Sequence, residues 1–322
     1  MKLSIITVNY RSWGHLENML GGLRDGFPDD WEIIVVDNES IPQDFDAFAA
    51  RHPGVAFIAN PENSGFGAGC NIGVARATGE QLLFMNPDVI ATVDDIRRLI
   101  DIKAAHPDIG IIAPKQVSPA GVPQKVFDDW PGVLNQSGIV KALQRWLLPR
   151  TTLDPRAEYT ELTYCDWVTG SVLLIDRDDF DAAGGWCEDY WMYVEDADLC
   201  RMVFNNGKRI AYTPEVEVVH AHGGSSKLNV EVRAMTKTEV IISKHVYMHR
   251  HMRGLRRFAA HTMIVITRLL PLVVFSLLDL LTLGRIPTLR VRSKMLARLA
   301  GYYRGRIRTG CWLSPRALER DH

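Results

Sequence analysis

Two short β-branched runs, EIIVVDN at residues 32–38 and QLLFMNPD at 81–88, each end in a carboxylate beside an amide, and the segments around them leave few folds open. Strand-like stretches at 3–9, 32–37, 55–59, 81–85 and 109–113 alternate with helical stretches near 14–24, 43–51, 66–78 and 93–106. That alternation predicts an α/β fold with a largely parallel, doubly wound, Rossmann-like sheet flanked by helices. In open sheets of this kind ligands bind beyond the carboxyl ends of the strands. Asp37 and the Asn86-Pro87-Asp88 step are therefore expected to face one pocket.

Residues 114–160 are richer in Pro and Gly and lack periodicity, which reads as a variable loop region. Regular structure resumes with WVTGSVLLID at 167–176, then a helix near 178–183 and the Gly184-Gly185 break. An aromatic cluster follows (Trp186, Tyr190, Trp191, Tyr193), and a helix from about Glu195 to Asn205, with Gly207 as its stop. A strand is expected over VEVVHAH at 216–222, leading into a polar GGSS loop suited to wrapping a diphosphate.

The net charge of −1 conceals an asymmetry. Residues 250–322 hold 15 Lys and Arg against 3 Asp and Glu, and residues 1–249 hold 22 against 35. An acidic N-terminal part excludes a nucleic-acid enzyme, whose working face must be basic. The basic tail fits an anionic membrane surface instead. Five scattered cysteines with no CxxC pair fit a reducing compartment and neither a disulfide framework nor a zinc site. With LSIITVN starting at Leu3 after a single positive charge, no signal peptide is expected, and the chain is expected at the cytoplasmic face of the membrane. Thr262 to Leu283 is 22 residues dominated by Leu, Val and Ile, interrupted by Arg268, Pro271 and Asp279. Basic residues flank it on both sides, so an in-plane or re-entrant segment broken at Pro271 is expected in preference to a single span. Soluble packing or a homo-oligomer contact is the bland alternative. These readings divide the chain into a catalytic domain at 1–226 and a basic, apolar helical extension at 227–322.

Asp88 suits a hard cation such as Mg²⁺ or Mn²⁺, which takes one or two protein carboxylates beside phosphate oxygens, and His220 at a strand end is a second candidate ligand. Glu195, Asp196 and Asp198 open a helix, where negative charge is favoured by the dipole alone. The aromatic approach YWMYVED tilts the balance towards a catalytic base, since it offers sugar-stacking surface and partial desolvation. GFGAGC at 65–70 superficially matches a dinucleotide fingerprint, but it follows Asn60-Pro61 and not a tight strand-to-helix turn. VNYRSWGHL lacks the Gly- and Lys-rich triphosphate loop of a nucleotidyltransferase.

SIITVNYRSWGHL, VVDNES, NPENSGFGAGCNIGVARATGE, LLFMNPDV, VTGSVLLIDRDDFDAAGGW, YWMYVEDADLCRMV and VVHAHGGSS occur in this order. Together they resemble family-2 glycosyltransferases of the GT-A fold, and most of all bacterial rhamnosyltransferases of cell-wall and O-antigen synthesis. The resemblance runs from about Leu3 to Ser226. It implies nucleoside contacts from Thr7, Asn9, Tyr10 and Asp37, and a nucleotide pocket lined by Asn63, Gly65 and Asn71. It implies that Asn86-Pro87-Asp88 stands in for a DxD motif, with Asp88 and His220 on a divalent metal, that Asp196 is the base, and that Glu195 orients it or touches the acceptor. Cys187 stands where many relatives have Asp and receives no role. The implied reaction is inverting transfer of L-rhamnose from dTDP-rhamnose to a polyprenyl-linked or glycan acceptor. A UDP-hexose or UDP-galactofuranose donor and a non-catalytic nucleotide-sugar-binding scaffold are the alternatives.

Overall fold

In chain order the first part of the structure runs β1 (Leu3–Asn9), α1 (Trp13–Gly22), β2 (Trp31–Asn38), α2 (Pro42–Ala49), β3 (Ala56–Asn60), α3 (Phe66–Arg76), β4 (Gln81–Met85), β5 (Val89–Ile90) and α4 (Val93–Ala104). It continues with β6 (Ile109–Val117), β7 (Phe127–Asp128), β8 (Thr163–Cys165), β9 (Trp167–Val168), β10 (Val172–Asp176), α5 (Arg177–Ala183), α6 (Glu195–Asn205) and β11 (Arg209–His220). The computed structural model describes residues 2–39, 41–136, 146, 153–154, 157–221 and 229–318. Two compact units emerge, one of residues 1–130, 153–187 and 196–225, the other of 131–152, 188–195 and 226–322. Residues 131–152 and 188–195, inside the expected 1–226 domain, group with the C-terminal residues.

A nine-stranded sheet organises the first unit in the order β3-β2-β1-β4-β10-β6-β11-β5, with β8 added beside β11. The contacts β3-β2, β2-β1, β1-β4 and β6-β11 are parallel, as the βα alternation demands. The strand order reverses at β1, so the carboxyl ends of β1, β2 and β4 meet at a switch point. β10 enters antiparallel between β4 and β6. Its leading residues therefore lie at the carboxyl end of β4, where the Asn86 amide donates to the Ser171 carbonyl at 2.8 Å.

Alternation along β4 explains the layers. Leu83 and Met85 pack with Leu3, Ile5, Leu16, Met19 and Leu99 on one face, and Leu82 and Phe84 pack with Leu173, Phe180, Trp186 and Leu199 on the other. The glycines of α3 bring that helix against the sheet. A Cβ on Gly73 would stand 2.6 Å from Ile6 Cγ2, and one on Gly69 would stand 2.9 Å from Val8 Cγ1. The small residues expected to let a helix approach a nucleotide thus let it approach strands β1 and β2. β11 starts at Arg209, well before the expected 216, because Pro214 sits where the register with β6 shifts, between Thr213 and Glu217. The loop expected over 114–160 holds the end of β6 and β7, and residues 137–145, 147–152 and 155–156 lie outside the described residues.

The second unit is helical: α7 (Val230–His251), α8 (Gly254–Ile264), α9 (Leu270–Leu281), α10 (Pro287–Thr309) and α11 (Pro315–Leu318). α8 and α9 form one continuous helix through a π turn at Val265–Leu269. The expected break at Pro271 does not occur. A proline inside a helix lacks the N–H that would bond the carbonyl four residues back and crowds that carbonyl, and a widened π turn just upstream absorbs the mismatch. The 28-residue helix Gly254–Leu281 is long and apolar enough to cross a membrane by length and composition. Leu270, Val274, Leu277, Leu280 and Leu281 on it are exposed.

Candidate active site

The parallel register aligns Asn9 with Asp37 and Asn38 with Asn60 at the carboxyl edge of the sheet. The Asn9 amide donates to Asp37 Oδ1 at 2.6 Å, and its own carbonyl oxygen accepts from the Ser12 hydroxyl at 2.8 Å. Asn38 donates to the Gly65 carbonyl at 2.9 Å, and Asn60 donates to Asn38 Oδ1 and Ser64 Oγ, both at 2.8 Å. Gly65 itself has φ of 92°, a left-handed conformation that only glycine adopts without strain, and its N–H is held by Asn63 Oδ1 at 3.2 Å. Asn9, Asp37, Asn63 and Gly65 therefore belong to one amide-linked rim. Tyr10, next to it, carries the Arg11 guanidinium over its ring at 5.1 Å.

Two residues expected to line this pocket are committed elsewhere. Thr7 is fully buried, and its hydroxyl donates to the Met85 carbonyl at 2.9 Å, tying β1 to β4. Its place in the alternation Leu3, Ile5, Thr7 is the signal that points it inwards. The Asn71 side chain clamps the backbone of Trp186, donating to its carbonyl at 2.8 Å and accepting from its N–H at 3.1 Å. Both tether neighbouring backbone segments.

The second half of the site forms where β5 pairs antiparallel with β11, setting Val89 opposite His220. Asp88 Oδ1 then lies 3.2 Å from His220 Nε2. Burial pushes the Asp88 carboxyl up, but the hydrogen bond and charge of His220 outweigh it and leave the group below its ordinary value. On its other side His220 Nδ1 meets Gln116 Oε1 at 2.7 Å, and the same oxygen accepts from Ser171 Oγ at 2.9 Å. Gln124 donates to the His220 carbonyl at 2.8 Å. Gln116 thus plays the orienting part that fixes which imidazole nitrogen is left for a ligand. Among the described residues no group of three or more His, Cys, Asp or Glu could hold a metal. An acid held ionised beside an oriented imidazole does fit a divalent ion that takes its other ligands from phosphate oxygens, with Asp88 and His220 as the protein's share.

Asp196 reaches the sheet through the antiparallel strand. Its carboxylate accepts from the Gly170 N–H at 3.2 Å and from the Ala197 N–H at 2.8 Å. A Cβ on Gly170 would be a tight fit, 3.1 Å from Trp186 and 3.3 Å from Phe66. Burial raises the Asp196 carboxyl to about 6, against the pull of those two N–H groups and of Lys125. That places it within reach of a general base's working range. Glu195 is buried in the second unit, where it and Glu239, after burial itself, push the Tyr193 hydroxyl up. Tyr193 and Val194 just before it have φ of 71° and 70°. Two successive left-handed residues, one β-branched, store strain next to the two candidate acids.

Three of the four rings of the aromatic cluster are core, and Tyr193 is half-buried. Trp186, Tyr190 and Trp191 are each 2% exposed or less, and Trp186 packs edge-on against Phe84 and Phe66 at 5.0 and 5.4 Å. Trp167 is half-buried, donating to the Asp129 carbonyl at 2.9 Å. The polar loop at 222–226 lies outside the described residues. Gln116, Ser171 and Gly170 are the parts sequence reasoning missed.

Residues 4–169 match the model of the family described as glycosyl transferase family 2. The chain is 28% identical over 233 residues to an N-acetylglucosaminyl-diphospho-decaprenol L-rhamnosyltransferase of Mycobacterium tuberculosis, covering 68% of this chain and 75% of that one. It is 26% identical over 227 residues to rhamnosyltransferase WbbL of Escherichia coli K12, covering 67% and 82%. Among solved structures, the mannosyltransferase PcManGT of Pyrobaculum calidifontis, in complex with GDP-Man and Mn²⁺, aligns with a TM-score of 0.53 at 17% identity, over 93% of this chain and 85% of that one. At that identity the likeness concerns the fold, which is GT-A.

Proposed function

The chain belongs to glycosyl transferase family 2, and from that premise we propose an inverting, metal-dependent transferase that moves L-rhamnose from dTDP-rhamnose to a polyprenyl-diphosphate-linked sugar at the cytoplasmic face of a membrane. The observation that carries the metal and the chemistry is the pairing, within one unit, of an Asp88 carboxylate held 3.2 Å from His220 with a half-buried acid, Asp196, whose carboxyl is raised to about 6. The names of the mycobacterial and E. coli relatives support rhamnose as the sugar, and the first of them supports a lipid diphosphate acceptor. In this reading residues 1–226 are the catalytic domain and 227–322 the membrane-seeking extension.

Asn9, Tyr10, Asp37, Asn63 and Gly65 form the nucleoside side of the pocket, with the Asp37 carboxylate accepting from base or ribose donors. Thr7 and Asn71 hold its walls. Asn86 positions the turn that presents Asp88. Asp88 and His220 would hold the divalent ion, Mg²⁺ or Mn²⁺, and the chemistry it would supply is Lewis-acid stabilisation of the departing diphosphate. Asp196 takes the proton from the acceptor hydroxyl, which attacks the anomeric carbon from the face opposite the leaving group. Glu195 orients that base or meets the acceptor. A single base is what inversion needs; a retaining displacement would call for a second carboxylate as nucleophile.

Thermal shift with a panel of nucleotides tests the donor. Stabilisation by dTDP and dTDP-rhamnose that requires Mn²⁺ or Mg²⁺ is expected, by ~2.7 kcal/mol at a hundredfold excess over Kd. Stabilisation by UDP species alone would overturn the donor, and no response to any nucleotide would overturn the enzyme reading.

A further inference from the structure

Away from the sheet, the helical unit contains a cavity of roughly 460 Å³ lined by His249, Gly254, Arg257, Phe258, His261 and Thr262 together with Val265, Arg306 and Trp312. Its charge is one-sided, supplied by two arginines with two imidazoles beside them. Asp189, whose charge reaches His249, is itself paired with Arg250 at 2.8 Å.

Three buried nitrogens on this one wall, His249 Nδ1, His261 Nε2 and Arg306 Nε, have no hydrogen-bond partner among the described residues. Buried polar atoms are normally satisfied, so three orphans in one cavity mark a place built for a ligand that accepts hydrogen bonds. The groups are held ready for it. Trp312 is stacked on His261 with ring centroids 4.0 Å apart and planes 8° apart, and the Arg306 guanidinium lies over the same indole at 4.5 Å. Behind His261 runs a relay: its Nδ1 meets His245 Nδ1 at 2.7 Å, and His245 Nε2 meets the Tyr303 hydroxyl at 2.8 Å. If Tyr303 donates into this chain, each imidazole passes the donor role on, and His261 presents Nε2–H to the cavity. Burial first, then the neighbours His249, Arg257 and Arg306, push His261 down to about 4, which leaves a neutral imidazole beside two guanidinium groups. Positive charge there is crowded and short of a counter-charge. Gly254 also begins α8, a helix start with no side-chain cap.

The source of the anion follows from what adjoins the cavity. Arg257, Phe258, His261, Thr262 and Val265 all belong to the Gly254–Leu281 helix, Phe258 is 70% exposed, and the rest of that helix presents exposed leucines and valines. We propose that this cavity is a binding site for the phosphate headgroup of a membrane lipid, with His249, Arg257, His261 and Arg306 donating to the phosphate oxygens and the apolar helix face taking the lipid chains. The proposal rests on the reading of that helix as lying at a membrane surface.

The test follows the imidazole nitrogen resonances of the full chain during titration with dihexanoyl phosphatidate below its micelle concentration, beside dihexanoyl phosphatidylcholine, inorganic phosphate and pyrophosphate. His249 and His261 are expected to shift with phosphatidate and hardly with the choline lipid. The apparent Kd is expected to rise roughly tenfold or more in Arg306→Gln and, separately, in Arg257→Gln, because each removes a charge-assisted donor. Near-UV circular dichroism identifies a variant that has merely lost its fold, and Arg257→Gln, which leaves the Arg306–Trp312 stack in place, is the safer of the two. Absence of any shift with phosphatidate, or equal loss on Arg285→Gln at the far end of the helix, would overturn the site. Tighter binding of inorganic phosphate or pyrophosphate than of phosphatidate would overturn the lipid as its source. Flotation with phosphatidate-containing vesicles tests the membrane reading on its own. Failure to float with the histidine shifts intact would remove that reading and leave the cavity as an anion site.

Discussion

Asp196→Asn is expected to lower kcat by ~10²–10⁴-fold with donor affinity unchanged, because the substitution keeps the shape of the side chain and removes its charge and its capacity to accept a proton, together with the acceptor for one of its two backbone N–H partners, Gly170 or Ala197. The wild-type pH profile should carry the same signature. With the carboxyl raised from 3.8 to about 6, kcat/KM should be level above about pH 7 and fall by about tenfold per pH unit well below pH 6. A raised acid also burdens the fold. The folded state holds the proton more tightly than the unfolded chain does, so this group favours folding fully below its unfolded value and loses that contribution as pH rises through about 6. At pH 7 the ionised form carries a penalty of ~3 kcal/mol. In Asp196→Asn the relief of that penalty is opposed by ~1–3 kcal/mol for the backbone N–H left without its acceptor, so its Tm at pH 7 should stay close to that of the wild type while turnover is lost. An active variant would remove Asp196 from the chemistry. An inactive variant with a lowered Tm would assign it a structural part through the Gly170 and Ala197 N–H groups.

Asp88→Ala is expected to abolish the dependence of activity on divalent ions together with most of the activity, ~10²–10⁴-fold in kcat/KM, since it takes away the single carboxylate proposed to hold the ion. The loss should come with weaker metal-dependent nucleotide binding, which separates it from Asp196→Asn. The variant also strips His220 Nε2 of its 3.2 Å partner. The informative comparison is therefore Asp88→Asn, which keeps a polar neighbour for the imidazole and still lacks the charge. Both variants should behave alike if the charge on the ion is what matters. Retention of full activity by Asp88→Asn would contradict the metal assignment.

How much of this was legible beforehand depends on what kind of signal each residue leaves. Asp37 and Asp88 end apolar runs, and their places at the carboxyl ends of β2 and β4 follow from period and order alone. His220 ends a strand in the same way, although β11 begins at Arg209 because Pro214 hides its continuity at a bulge. Strand direction left no trace: VLLID reads as a buried strand whichever way it runs, and only its antiparallel insertion carries Gly170 and Ser171 to the carboxyl end of β4. Gln116 was equally invisible, a lone amide in IGIIAPKQV whose task depends on a histidine that is 104 residues away in the chain. The aromatic cluster misled in the other direction. Composition cannot distinguish a ring that stacks on a sugar from one that fills a core, and Trp186 fills the core between Phe66 and Phe84. Pro271 looked like a helix break because its missing N–H is visible in sequence, whereas the π turn that accommodates it is not.

The most direct test of the account is the anomeric configuration of the sugar in the product formed with the proposed donor, dTDP-rhamnose, and a polyprenyl-diphosphate-linked sugar as acceptor, read by NMR on the isolated product. The account predicts a single product whose anomeric configuration is opposite to that of the donor, formed only with Mg²⁺ or Mn²⁺ present. A product that retains the donor's configuration would contradict direct displacement assisted by Asp196.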